Sequence, residues 1–205
     1  MNTYKYLLFQ VIILSLLGMP IKAQVENAEM LGFGFNGRGG SYHGAFLSTV
    51  YNYKKVSLEF RYGLYNQDSK EVPSNYDSGF SILGGNSRPR NRLRTVALLA
   101  GWIAPTKTDN KVVLSLKTGV GYNHFMIPEK FTYHSSWLFS GYSHETAHIK
   151  NTGWIISPQM AFNLTKHWQL YFAPDMNINL YENLYNFNFG VRINVDVAII
   201  SPKNK

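Results

Sequence analysis

From residue 29 onward the chain alternates apolar and polar positions in eight stretches: 29–37, 42–53, 55–66, 92–104, 111–125, 152–163, 167–178 and 185–199. The last is the clearest. Tyr185, Phe187, Phe189, Val191, Ile193, Val195 and Val197 fall on one face, while Asn186, Asn188, Gly190, Arg192, Asn194 and Asp196 fall on the other. A period of two places successive side chains on opposite sides of an extended strand, so such a stretch has one apolar and one polar surface. The others repeat it. Val56, Leu58, Phe60, Tyr62 and Leu64 oppose Ser57, Glu59, Arg61 and Gly63. Val112, Leu114, Leu116 and Val120 oppose Ser115, Lys117, Gly119 and Gly121. Trp168, Leu170, Phe172 and Met176 oppose Gln169, Asp175 and Asn177. The fourth stretch is apolar on both faces between Arg94 and Trp102, and its sides stay open.

The connections alternate as well. Those at 54–55, 106–110 and 164–166 are short, and those at 67–91 and 126–151 are long, so the long ones share one end. Membrane barrels have this asymmetry, with short periplasmic turns and longer external loops. A tilted strand needs about 9–11 residues to cross the hydrocarbon, and each stretch reaches that length or close to it. Aromatics mark both rims: Tyr51, Tyr53, Trp102 and Trp168 near the short turns, and Tyr122, Trp154, Tyr185 and Phe187 near the long loops. The expected fold is all-β: one closed, eight-stranded, antiparallel up-and-down transmembrane barrel.

As a pattern over residues 29–199 the chain resembles the small outer-membrane barrels of the OmpA/OmpX architectural type. Such barrels usually end on an aromatic residue, whereas here Ser201–Lys205 follow Ile200. The competing reading is a soluble, lipocalin-like barrel with the aromatics inside and Arg61, Lys117 and Arg192 outside.

Composition favours the membrane. Charged residues make up 16% of the chain, against an average of about 25% in soluble domains, while there are 14 Tyr, 13 Phe and 4 Trp. There is no cysteine, which excludes disulfides and thiolate metal sites. Residues 1–23 read as a cleavable signal peptide. Lys5 supplies the positive start, residues 7–17 the apolar core and Ala23 a cutting point. That core is too short to cross a bilayer as a helix, which takes about 20 residues. Residues 24–205 then form the barrel. Removing the leader takes Lys5 and Lys22 from a net charge of +8. The remaining excess suits anionic lipid headgroups, but spread along the chain it is too thin to argue for nucleic acid.

Several motifs carry possible chemistry. Gly32-Phe33-Gly34-Phe35-Asn36-Gly37 matches a dinucleotide fingerprint, but no helix follows it, and the motif is discarded. His144-Glu145-Thr146-Ala147-His148 matches H-E-x-x-H, which on a helix presents two imidazoles to zinc. Here it sits in a polar loop with only His134 nearby as a third ligand, so the expectation is no metal and no cofactor. Glu59, Arg61, Lys117, Asp175, Arg192 and Asp196 are expected to face inward as a charge network. Eight strands leave room for side chains and not for an aqueous channel, so a structural plug is favoured over a conduction path.

Pro158 and Pro174 fall mid-strand in neighbouring stretches, where each removes a ladder donor. A hairpin closing at 164–167 sets 158 near 173 and 174 near 157, which opens a gap in the wall. In this feature the chain resembles the lipid A palmitoyltransferase (PagP-type) barrels, whose paired strand prolines permit lateral lipid entry. Asp68-Ser69 stands where that family carries a catalytic Asp-Ser. The resemblance implies acyl transfer on envelope lipids, with His43, Asp68 and Ser69 as candidate catalytic residues. The chain departs from it in two places. The first stretch has no histidine, and residues 24–28 are too few for that family's leading helix.

The function expected from the sequence is that of a plugged, non-conducting outer-membrane barrel in a Gram-negative envelope. It would act through its external loops in surface interaction or envelope integrity. The expected partners are outer-membrane lipids, lipopolysaccharide and an external protein or surface ligand. The alternatives are the lipid acyl-modifying enzyme and, more remotely, a zinc-dependent activity at His144 and His148.

Overall fold

A computed structural model describes residues 29–76, 88–105, 112–135, 140–165 and 167–196. The expected signal peptide, the Ser201–Lys205 extension and the 106–110 connection lie outside the described residues, as does the side chain of Asp196.

Eight strands follow in chain order: β1 (Glu29–Gly40), β2 (His43–Tyr53), β3 (Val56–Asp68), β4 (Arg90–Pro105), β5 (Val112–Ser135), β6 (Ser140–Asn163), β7 (Trp168–Asn179) and β8 (Leu184–Asp196). Each pairs antiparallel with the next, and β1 closes on β8 from Met30↔Asp196 to Gly40↔Asn186. Closure leaves no exposed sheet edge, which matters because hydrocarbon offers no partner for a free backbone group. The β2–β3 turn is two residues, with Lys54 in the left-handed region at φ 52°. At the opposite end Gly40 has φ 124°, and a Cβ there would overlap the backbone of Tyr185, so the tight β1–β2 connection depends on glycine.

The faces sort as the alternation requires. Phe35, Leu47, Phe60, Leu98, Leu170 and Phe189 point outward and are exposed, Phe35 by 68%. An outer surface this continuously apolar exceeds what a soluble monomer shows and is what a lipid-facing band requires. Polar residues point inward, with Glu59, Asn123, Ser157 and Asn188 at 0% exposure. This is the reverse of a lipocalin-like barrel, and the soluble reading fails. β4 now has sides: Leu93, Thr95, Ala97 and Leu99 face in, and Val96, Leu98 and Trp102 face out. Its inner face looks apolar in sequence because Leu93 joins the interior cluster of Tyr42, Phe46, Tyr65, Phe125 and Leu184. Ala97 and Leu99 pack on Ile155.

The long connection expected over 126–151 is mostly strand. β5 and β6 run on as a paired hairpin from Met126↔His148 to Ser135↔Ser140, well past the other strands. The residues explain it: Ile127, Phe131, Thr132, Tyr133, Tyr142 and Ile149 are strand formers, and Lys130, at φ 50° between Glu129 and Thr132, absorbs a bulge. The polar residues among them hid the periodicity. β1 likewise runs to Gly40, past its expected end at residue 37.

Candidate functional site

Two polar regions stand out, one inside the barrel and one on its outer rim. Inside, Glu59 and Arg61 come from β3, Lys117 from β5, Asp175 from β7 and Arg192 from β8, and all are buried. Arg61 donates through Nε to Glu59 Oε1 (2.5 Å), through Nη1 to Asp175 Oδ2 (2.6 Å) and through Nη2 to Ser157 Oγ (3.0 Å). Lys117 Nζ donates to Glu59 Oε2 at 2.6 Å, and Gln159 Nε2 donates to the same oxygen at 2.9 Å. Arg192 stands 3.9 Å from it and donates to Gln169 Oε1 at 3.0 Å. Buried charges are tolerable only when paired and hydrogen-bonded, and here each carboxylate binds at least two cationic side chains.

Sequence reasoning missed Arg38, which joins this network through Nη2 to Asp175 Oδ2 (3.2 Å) and Nε to Asn188 Oδ1 (2.9 Å). Its guanidinium lies 4.1 Å from the Tyr65 ring centroid. Ending β1 at residue 37 concealed it, although Phe33 and Phe35 outward with Asn36 inward already fix the phase that turns Arg38 inward. Tyr65 in turn lies over Gly63, where a Cβ would overlap its ring.

The network crosses the lumen from β1, β3, β5, β7 and β8, reaching β6 through Ser157 and Gln159. It can clamp the wall and fill the bore. Apolar rings pack beside it: Tyr42 lies 6.0 Å from Phe125, which is 4.9 Å from Tyr181.

The β6–β7 ladder pairs Ile156 with Met176 and resumes only at Met160 with Phe172. Continuing that register sets Pro158 directly opposite Pro174, one residue from the alignment expected from the sequence. Both prolines lie on the outward face yet are buried, and the inward residues behind them, Ser157, Gln159 and Asp175, belong to the charge network. Polar side chains therefore stand behind the interrupted ladder.

No family model matches the chain, and none of the curated proteins matches its sequence. Solved structures do match. A major outer membrane protein from Thermus thermophilus superposes with a TM-score of 0.61 at 12% identity, over 82% of this chain and 100% of that one. The N-terminal β-barrel domain of Pseudomonas aeruginosa OprF gives 0.54 at 12% identity, over 83% and 100%. The fold is that of the small outer-membrane barrels.

On this barrel the remaining candidates lie toward the long-loop end. His43 pairs with Asn66 on the outward face, and Asp68 lies two residues further along β3. Such a diagonal separates the backbones by about 7–8 Å. Asp68 is exposed and paired with Arg90 (Nε–Oδ1 3.2 Å), and Ser69 Oγ accepts the N–H of Glu71 at 3.4 Å. His144 and His148 lie on β6, not in a loop. Four residues along a strand span about 13 Å, so their imidazoles do not converge as on a helix. His148 Nδ1 instead stands 3.1 Å from His124 Nε2, and Glu145 binds Lys130 Nζ at 2.6 Å. Asp68, Ser69, His144 and His148 nevertheless line one open groove of about 1040 Å³, together with Arg88, Arg90 and Arg92.

Proposed function

We propose that the protein is a non-conducting outer-membrane barrel that acts through the surface it raises outside the membrane, in surface interaction or envelope integrity. The observation that carries this reading is the cross-lumen network centred on Glu59, Arg61 and Asp175, which occupies the space a conduction path would need. The β5–β6 hairpin supports the second half of the reading. It extends the wall beyond the apolar band as a stiff, polar, aromatic-bearing blade, with Tyr142 stacked at 5.7 Å on Tyr76 of the β3–β4 connection. The partners fitting this surface are outer-membrane lipids, lipopolysaccharide and an external protein or surface ligand.

Two measurements test it. The folded protein in planar bilayers should give no discrete conductance steps, and stable single-channel openings would overturn the plug. A chain whose hairpin is replaced by a short turn between Met126 and His148 should fold but fail to restore detergent resistance to a strain lacking the gene. Full restoration by the trimmed chain would refute a role for the blade.

A second reading, an enzyme that adds or removes an acyl chain on envelope lipids, is favoured by one feature, the proline-faced seam between β6 and β7. Mass spectra of extracted lipids decide it. Identical spectra from wild-type, Ser69→Ala and gene-deleted cells remove it.

A further inference from the structure

The outward face of β4 changes character abruptly. Trp102, Leu98 and Val96 belong to the apolar band, and the next three outward positions are Arg94, Arg92 and Arg90, none of them buried. The neighbouring strands change in step. Beyond Tyr122 on β5 comes His124, and beyond Trp154 and Thr152 on β6 come Lys150 and His148. The register joins them into rows: Arg94 beside His124 beside Lys150, then Arg92 beside Met126 beside His148. Above these rows is the groove of about 1040 Å³, walled on one side by the hairpin and on the other by the segment after β3, where Tyr76 packs edge-on to Phe131 at 5.9 Å.

Among the described residues the charge there is unbalanced: the acid lining the groove is Asp68, and Arg90 is paired with it. Among the described residues Arg92, Arg94 and Lys150 pair with no acid. Alternate residues on one face of a strand are about 7 Å apart, so Arg94 and Lys150 lie one step beyond the Val96–Tyr122 row and Arg92 lies two. Guanidinium groups bind phosphate oxygens in a fork, and a site bordered by apolar wall selects an anion that carries its own acyl chains.

We propose that this face binds the phosphorylated headgroup of an outer-leaflet glycolipid. Its phosphates lie against Arg92, Arg94 and Lys150, its saccharide enters the groove, and its chains run down over Val96, Leu98 and Val120. An outer-leaflet lipid is favoured over a soluble anion because the cations face outward and continue directly from the lipid-facing band. The inference rests on the outer-surface reading only in taking the long-loop end as external.

The test uses the full chain folded in detergent, with native mass spectrometry of lipid retained from two probes, bisphosphorylated lipid A and the same lipid dephosphorylated. Wild type should retain the phosphorylated form at least about tenfold better. The Arg92→Gln/Arg94→Gln/Lys150→Gln variant should lose that preference, while Lys54→Gln/Lys55→Gln, at the opposite rim, should keep it. Retention should fall with added salt, and inorganic phosphate should compete only at far higher concentration. Should the triple variant fail to fold, Arg92→Gln alone must weaken retention severalfold. Equal retention of both lipids by wild type, an unchanged preference in the variant, or competition by inorganic phosphate at matching concentration overturns the proposal. The conductance and complementation results above would stand in each case.

Discussion

Removing one charge from the centre of the barrel tests whether the interior is held by its ion pairs. Glu59 accepts from Arg61 at 2.5 Å, Lys117 at 2.6 Å and Gln159 at 2.9 Å, and its carboxylate is wholly buried. With Asp175 it faces four buried cations, Arg38, Arg61, Lys117 and Arg192. At an effective dielectric of about 20, unit charges 2.6 Å apart attract by about 6 kcal/mol, most of which offsets the desolvation of both groups. Deleting one partner is different, because the other stays buried and alone. Glu59→Gln keeps the shape and leaves Lys117 without a carboxylate, and it should cost about 3–5 kcal/mol. Glu59→Gln/Lys117→Met should recover part of that loss, since both charges go together. The assay is urea unfolding in lipid vesicles, followed by tryptophan fluorescence and by the gel shift between boiled and unboiled protein. Lys70→Ala, an exposed loop change, should stay within about 0.5 kcal/mol of wild type. Glu59→Gln and Lys70→Ala with the same midpoint would show that the network is hydrated and does not clamp the wall.

Local geometry sets three further outcomes. Gly63→Ala should displace the Tyr65 ring, and with it Arg38, lowering stability by about 1–3 kcal/mol; an unchanged midpoint would show that Tyr65 has another place to go. Amides that point across the β6–β7 seam within 156–160 and 172–176 should exchange with deuterium faster than those around Phe162 and Leu170, and Pro158→Val/Pro174→Val should slow them. Equal protection in wild type would refute an interrupted ladder. Partial burial raises the pKa of Glu182, in the β7–β8 connection, against a smaller opposing effect of Lys70. Its ionised form is therefore disfavoured in the folded protein, so its contribution to stability is best below the unfolded carboxylate range and worsens as pH rises through it. Glu182→Gln should match wild type at acid pH and exceed it at neutral pH, and parallel pH profiles would refute this.

The barrel was legible because its physics is written at period two. In β3 and β8 every apolar residue of the band points to lipid and the polar ones between them point inward, and nothing competes with that signal. β4 was opaque for a physical reason. Its inward Leu93, Ala97 and Leu99 pack on other apolar side chains inside the barrel, so both faces are apolar and alternation vanishes. The β5–β6 blade was opaque for the opposite reason. Outside the membrane both faces meet water, so Thr132, His134, Ser143 and Glu145 give no contrast, and only the β-forming residues between them hint at strand. The H-E-x-x-H motif, expected in a polar loop, lies instead on a strand paired with β5.

Charge shows the same limit most clearly. A net +8 looks thinly spread along the chain, but the barrel cannot place charge on its lipid-facing band. The cations are therefore sorted by the fold into the lumen, the short-turn rim and the outer rim. In the lumen Arg38, Arg61, Lys117 and Arg192 meet Glu59 and Asp175 and bind the strands together. At the outer rim Asp68 engages Arg90, and among the described residues Arg92, Arg94 and Lys150 pair with no acid. The same residue type thus plays two roles, set by which side of β4 it stands on. An arginine one position along that strand would turn inward beside Leu93 and need an acid there. At 92 and 94 it turns outward, where the proposed site supplies a headgroup phosphate as its counter-charge.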